Sequence, residues 1–155
     1  KWAVFLRDPL LRYLSAWGSK CFQQEDGPGG NCIPRGITSE TGSVEDFERH
    51  VIAMYRNQSL LATNQHWALQ QDFCGGLNNA VGYDFVGQLH GDVNGQVRAM
   101  FRKFGVPEDD VDEFFPKHKI AQHKSRLDPQ LYYRSPTISK RVHDMYRKDY
   151  DLPGL

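Results

Sequence analysis

Arg7, Arg12 and Ser15 are the residues whose types and spacing best suit an anion. Guanidinium N–H groups bind phosphate by charge-assisted hydrogen bonds, and a nearby hydroxyl adds one more donor. Their placement follows from the neighbouring residues. Trp2-Ala3-Val4-Phe5-Leu6 is an unbroken apolar run, which predicts a strand covered on both faces. Asp8 is a good N-cap and Pro9 suits the first helical position, so a helix is predicted over 9–18. Arg7 then stands at the carboxyl end of a strand beside a helix N-terminus, where open α/β sheets bind anionic ligands. Arg12 and Ser15 are three apart and share one helix face. Taken alone, the same residues also describe an ordinary helix start with a solvated Arg12.

A second set of candidates lies further along. Lys117, His118, Lys119, His123, Lys124, Ser125 and Arg126 fall within ten residues and show no apolar period. They read as a basic loop that covers an anionic ligand, or as a solvated loop balancing the acidic run Glu108 to Glu113. His66 has an imidazole suited to general-base work near neutral pH. Beside Trp67 it equally suits a bond to a backbone carbonyl or the wall of an acceptor cleft. His50 and His143 fall on predicted helices and read as surface or packing residues. The chain has no Cys-x-x-Cys or His-x-x-x-His pair, so no zinc site is expected. It has no Gly-x-Ser-x-Gly elbow, which argues against a serine hydrolase.

The elements that must position these groups are mostly helical. After the strand and first helix, Lys20 to Gly42 reads as an irregular insertion. Ser43 caps the next helix, with Asp46 three residues on as a near capping box. Val44, Phe47, Val51 and Met54 form one apolar stripe along it. Leu60 to Phe73 is mixed, and Cys74 to Gly82 reads as a Gly/Asn-rich loop. Tyr83 to Leu89 predicts a short strand. Val93, Val97, Met100, Phe101 and Phe104 mark an amphipathic helix stopped by Gly105 and Pro107. Ser135-Pro136 opens a last helix with Ile138, Val142, Met145 and Tyr146 on one side.

At three places the residues resemble a known family. Arg7-Asp8-Pro9-x-x-Arg12-x-x-Ser15-Ala16-Trp17 after an apolar strand is similar to the 3′-phosphate motif of Golgi carbohydrate sulfotransferases. His66-Trp67-x-x-Gln70, Cys74 and Tyr83-Asp84-Phe85-Val86-Gly87 resemble a second block of that family. Tyr146-x-x-Asp149-Tyr150 resembles its closing helix. The segment between Lys20 and Gly42 matches poorly.

The resemblance implies an α/β, P-loop-like fold, of which 1–155 is the helix-rich C-terminal part of a single domain. It implies 3′-phosphoadenosine 5′-phosphosulfate (PAPS) as sulfuryl donor, with no metal, and a carbohydrate hydroxyl as acceptor. Arg7 and Ser15 would hold the donor's 3′-phosphate, with Arg12 beside them, and Lys124-Ser125 would belong to a covering loop. The base is His66, or lies on the upstream half of the domain. The family's phosphosulfate loop has no counterpart before Arg7. An N-terminal half, or another chain, is therefore expected to complete the sheet, and this chain alone is expected to be inactive. The alternative is a non-catalytic, sulfotransferase-like structural or interaction subunit. The implied setting is the Golgi lumen, in a parent type II membrane protein, or another lumenal or secreted compartment.

Bulk properties agree with a globular piece. Hydrophobic content is 39% and aromatic content 12%, enough to build a core. Formal net charge is zero, so no global field favours nucleic acid or an anionic membrane surface. Cys21 and Cys32 bracket a polar, Gly-rich loop that a local disulfide would staple; three buried thiols are the other reading. Cys74 is left over. Asn57-Gln58-Ser59 is an N-glycosylation sequon. Disulfide, sequon and resemblance together favour an oxidising compartment.

Overall fold

The computed structural model describes residues 1–22, 30–77, 82–115 and 127–155. Strand β1 (Ala3–Leu6) leads through Arg7 into helix α1 (Pro9–Lys20). The predicted start of that helix is correct for the predicted reason. The Asp8 carboxylate accepts from the Leu11 N–H at 3.0 Å, and Pro9 occupies the first turn. Helix α2 (Val44–Arg56) is followed by two 3₁₀ segments, Gln58–Thr63 and Gln70–Gly75. Strand β2 (Phe85–Gln88), α3 (Val93–Phe104), α4 (Glu108–Phe114), α5 (Pro129–Tyr132) and α6 (Pro136–Met145) complete the order. A final 3₁₀ turn spans Arg147–Asp151.

The two strands pair in parallel, with Ala3 opposite Phe85 and Leu6 opposite Gln88. Parallel strands need a long crossover, and here α1, α2 and both 3₁₀ segments supply it. Gly87 lies opposite Phe5, and the phenyl ring fills the space a Cβ at Gly87 would take, 2.4 Å away. β1 is less covered than its apolar run predicts. Only Leu6 is buried, Trp2 is 72% exposed, and among the described residues β2 is the strand's only partner. No helix among the described residues is long and apolar enough to cross a membrane.

The core lies between α1, α2, α5 and α6. The predicted stripe of α2 is buried: Val44, Phe47, Val51 and Met54 all face inward. Ile138, Val142, Met145 and Tyr146 meet it from the last helix. Tyr13 sits at the centre, edge-on to Phe47, Trp67 and Tyr146 with ring centroids 5.3–6.0 Å apart, the geometry that aromatic quadrupoles favour. The near capping box is only half formed. Ser43 Oγ accepts from the Asp46 N–H, but the Asp46 carboxylate turns to the hydroxyls of Ser39 and Thr41.

The Cys21–Cys32 disulfide predicted from the loop composition is present, with Cα atoms 4.9 Å apart. His50 is buried beside it and is a packing residue, not a surface one. Its Nδ1 accepts from the Tyr13 hydroxyl and its Nε2–H donates to the Ile33 carbonyl, both at 2.8 Å. Burial pushes its pKa down to about 4. Two sulfurs and an imidazole within 4.8 Å have the chemistry of a metal site. Here the sulfurs are bonded to each other and Nε2 is turned to a carbonyl.

Among the described residues, the acidic run pairs with arginines of α3. It forms α4, and Glu108 and Asp112 grip the buried guanidinium of Arg98 on α3. Glu108 also pairs with Arg102, and these hydrogen bonds hold its carboxyl down to about 2. The stripe predicted on α3 is half-buried, and Arg98 is the helix's one buried residue.

Candidate active site

Arg7 follows β1 directly, and its backbone is held from the other side of the molecule. The Gln70 side chain accepts from the Arg7 N–H at 2.9 Å and donates to the Arg7 carbonyl at 2.8 Å. Gln70 is itself buried and fixed. Its own N–H and that of Gln71 donate to the two carboxylate oxygens of Asp149, at 2.9 and 3.0 Å. Asp149 is fully buried. A buried carboxylate is tolerable when backbone N–H groups satisfy it, and this one caps the 3₁₀ segment that begins at Gln70.

Beside this clamped backbone, Arg7 lines a cavity of about 310 Å³ at the carboxyl end of β1. Arg12, Gln70, Phe73, Cys74 and Leu77 share its lining, as does Leu89 just past β2. The Arg7 Nε is buried with no hydrogen-bond partner among the described residues. Burial lowers the Arg7 pKa, partly offset by the neighbouring Asp8. A partly desolvated guanidinium with an unsatisfied N–H gains most from an anion that supplies both charge and acceptors.

Arg12 reaches the same cavity but is already engaged. Its Nη1 donates to the Ala68 carbonyl at 2.6 Å and its Nη2 to the Gln65 carbonyl at 3.2 Å. The guanidinium also lies over the rings of Phe73 and Tyr146. Arg12 therefore ties α1 to the segment carrying His66 and Gln70, rather than standing free in solvent. The Tyr146 hydroxyl reinforces that segment by donating to the Trp67 carbonyl at 2.6 Å. Trp67 Nε1–H donates to the Asn31 carbonyl at 2.8 Å.

The remaining predicted site residues are placed as follows. Ser15 is half-buried on the second turn of α1, outside the cavity lining. Its hydroxyl has no hydrogen bond among the described residues. His66 is half-buried and also outside that lining; its N–H donates to Asn64 Oδ1 at 2.9 Å. Burial lowers the imidazole pKa, and the charges of Lys20 and Arg12 act in the same direction. Both effects favour the neutral imidazole. Cys74 is a free, exposed thiol in the left-handed backbone region at φ 54°. Lys124 and Ser125, with the basic segment Lys117–Arg126, lie outside the described residues. Gln70 and Asp149 were not among the predicted site residues, although both belong to the sequence blocks that carried the resemblance.

A family model described as "Sulfotransferase family" matches residues 2–152, so the chain belongs to the sulfotransferase family. Members of that family transfer sulfuryl groups and generally draw them from PAPS. The helix-rich architecture with its small parallel sheet is compatible with the family's α/β fold. No curated protein and no solved structure matches the chain.

Proposed function

We propose that the chain is the C-terminal part of a P-loop-like, PAPS-dependent carbohydrate sulfotransferase domain that works in the Golgi lumen. The observation that carries this reading is Arg7. Its backbone is locked by Gln70, its side chain lines a cavity at the carboxyl end of a parallel strand, and its Nε–H has no partner among the described residues.

In this reading Arg7 holds the 3′-phosphate of the donor from the cavity, and Ser15, outside the cavity lining, adds a hydroxyl only where the phosphate extends beyond it. Arg12 keeps the Gln65–Gln70 segment against α1 and contributes positive charge to the cavity. The acceptor oxygen attacks sulfur in line, the bond from sulfur to the phosphate oxygen breaks, and adenosine 3′,5′-bisphosphate leaves. The acceptor's proton passes to a base. His66, neutral because burial and two cations disfavour its charged form, has the right state for that role. The cation that stabilises the leaving oxygen comes from an N-terminal half, or from another chain, that completes the sheet. The disulfide supports an oxidising compartment.

The test is donor-product affinity. In the full-length protein, Arg7→Ala should weaken adenosine 3′,5′-bisphosphate binding by about 1.5–3 kcal/mol, the range for a hydrogen bond to a charged group. Unchanged affinity, read by calorimetric titration, would remove Arg7 from the donor site.

A further inference from the structure

We propose that Asn57 is a site of N-linked glycosylation, an inference that rests on the lumenal part of the reading above. Asn57-Gln58-Ser59 is the only Asn-x-Ser/Thr sequence in the chain. The folded chain accommodates a glycan without rearrangement only where the asparagine reaches solvent and its amide nitrogen is not committed to the fold. Both conditions hold. Asn57 is the C-cap of α2, and residues 56–59 are all exposed. Its backbone is fully engaged, donating to the Met54 carbonyl and accepting from Leu60, both at 3.1 Å.

The Ser59 hydroxyl donates to Asn57 Oδ1 at 2.7 Å. That bond turns the amide so that Nδ2 faces away, and Nδ2 has no partner among the described residues. The residue is thus held by its backbone and presented by its side chain. Nothing buried would have to open to admit a sugar, and Asn57 lies outside the lining of the Arg7 cavity.

The reaction balances with one co-reactant, a polyisoprenyl-pyrophosphate-linked oligosaccharide. Nδ2 attacks the anomeric carbon, forming the C–N bond. The bond from that carbon to the pyrophosphate oxygen breaks, the lipid pyrophosphate leaves, and one amide proton passes to a base.

The experiment translates the chain behind a cleavable signal peptide with microsomes, and scores only the protease-protected fraction. That fraction has reached the lumen by construction, so the result does not depend on where the native protein resides. Most of it should migrate one glycan step slower, and peptide N-glycosidase should remove the step. Asn57→Gln and Ser59→Ala should abolish it, whereas Ser59→Thr should keep it. A protected chain without glycan, or a step that survives Asn57→Gln, overturns the proposal. Asn57→Gln should leave adenosine 3′,5′-bisphosphate affinity of the full-length protein unchanged within twofold. Glycosylation at Asn57 without any such affinity would keep this site and sink the donor-site reading instead.

Discussion

The side-chain amide of Gln70 holds both backbone polar groups of Arg7, one with each end. The last residue of β1's exit is thereby paired as though another strand lay beside it. A carboxamide is the one neutral side chain that offers a donor and an acceptor in that geometry.

Gln70→Ala should therefore act on both stability and ligand affinity. It leaves a buried N–H and a buried carbonyl unsatisfied, a cost of about 1–3 kcal/mol for each group that water does not reach. It also releases the backbone that aims the Arg7 guanidinium. Denaturant unfolding should show the stability loss, and bisphosphate titration a weaker complex. Gln70→Glu should behave similarly, because it removes the donor to the Arg7 carbonyl and places a second carboxylate near Asp149. Unaltered affinity in both variants would show that the clamp does not position Arg7.

Arg12 and Arg7 should separate cleanly. Arg12 spends its donors on carbonyls of the segment it ties down, so Arg12→Ala should lower stability by about 2 kcal/mol, as expected for lost charge-assisted bonds. Arg7 is joined to the fold through its backbone, so Arg7→Ala should leave stability within about 0.5 kcal/mol, the range of substitutions away from structural contacts. Paired unfolding curves decide this. Equal stability losses in the two variants would contradict the division of roles.

His50 makes stability depend on pH. Its folded pKa is depressed to about 4 by burial, from an ordinary 6.5. Between those values the unfolded chain binds a proton that the folded chain refuses. Stability is therefore full above pH 6.5, falls as pH drops toward 4, and levels off below. The whole loss is roughly 3 kcal/mol for a shift of this size. Subtracting the pH profile of His50→Gln from that of the native protein isolates this contribution. A flat difference between pH 4 and 6.5 would show that the imidazole is solvated.

The Cys21–Cys32 bridge closes a short loop, with a sequence separation of 11. Replacing both cysteines by serine should cost about 3 kcal/mol by loop-closure entropy. Non-reducing peptide mapping should recover the bridged pair, with Cys74 free. Two free thiols at 21 and 32 would reject the pairing.

What could be read from the sequence was local. Asp8 and Pro9 start α1 because capping is decided within four residues, and the α2 stripe follows from a period of 3.6. The Cys21–Cys32 pair was also legible, because the residues between the two cysteines are polar and Gly-rich. Partner choice across the fold was not. Nothing in composition or period shows that α4 folds back so that Glu108 and Asp112 reach Arg98 on α3. His50 sits on a predicted helix, and only packing shows that its face turns inward to Tyr13 and Ile33. Gln70 and Asp149 were visible as members of resembling blocks. Their work on backbone groups distant in sequence leaves no mark in composition or period.

The bonds from Asp149 to Gln70 join positions 79 apart in sequence, and those from Gln70 to Arg7 another 63. Contacts of such separation form late, because loop closure must precede them. During synthesis the first helix can cap itself as soon as it leaves the ribosome. The clamp of Gln70 on Arg7 cannot lock fully until the closing 3₁₀ turn has emerged. A nascent chain stalled before Asp149 would thus present folded helices around an Arg7 whose backbone is still unfastened, so that the shape of the cavity beside β1 is the last feature this part of the protein acquires.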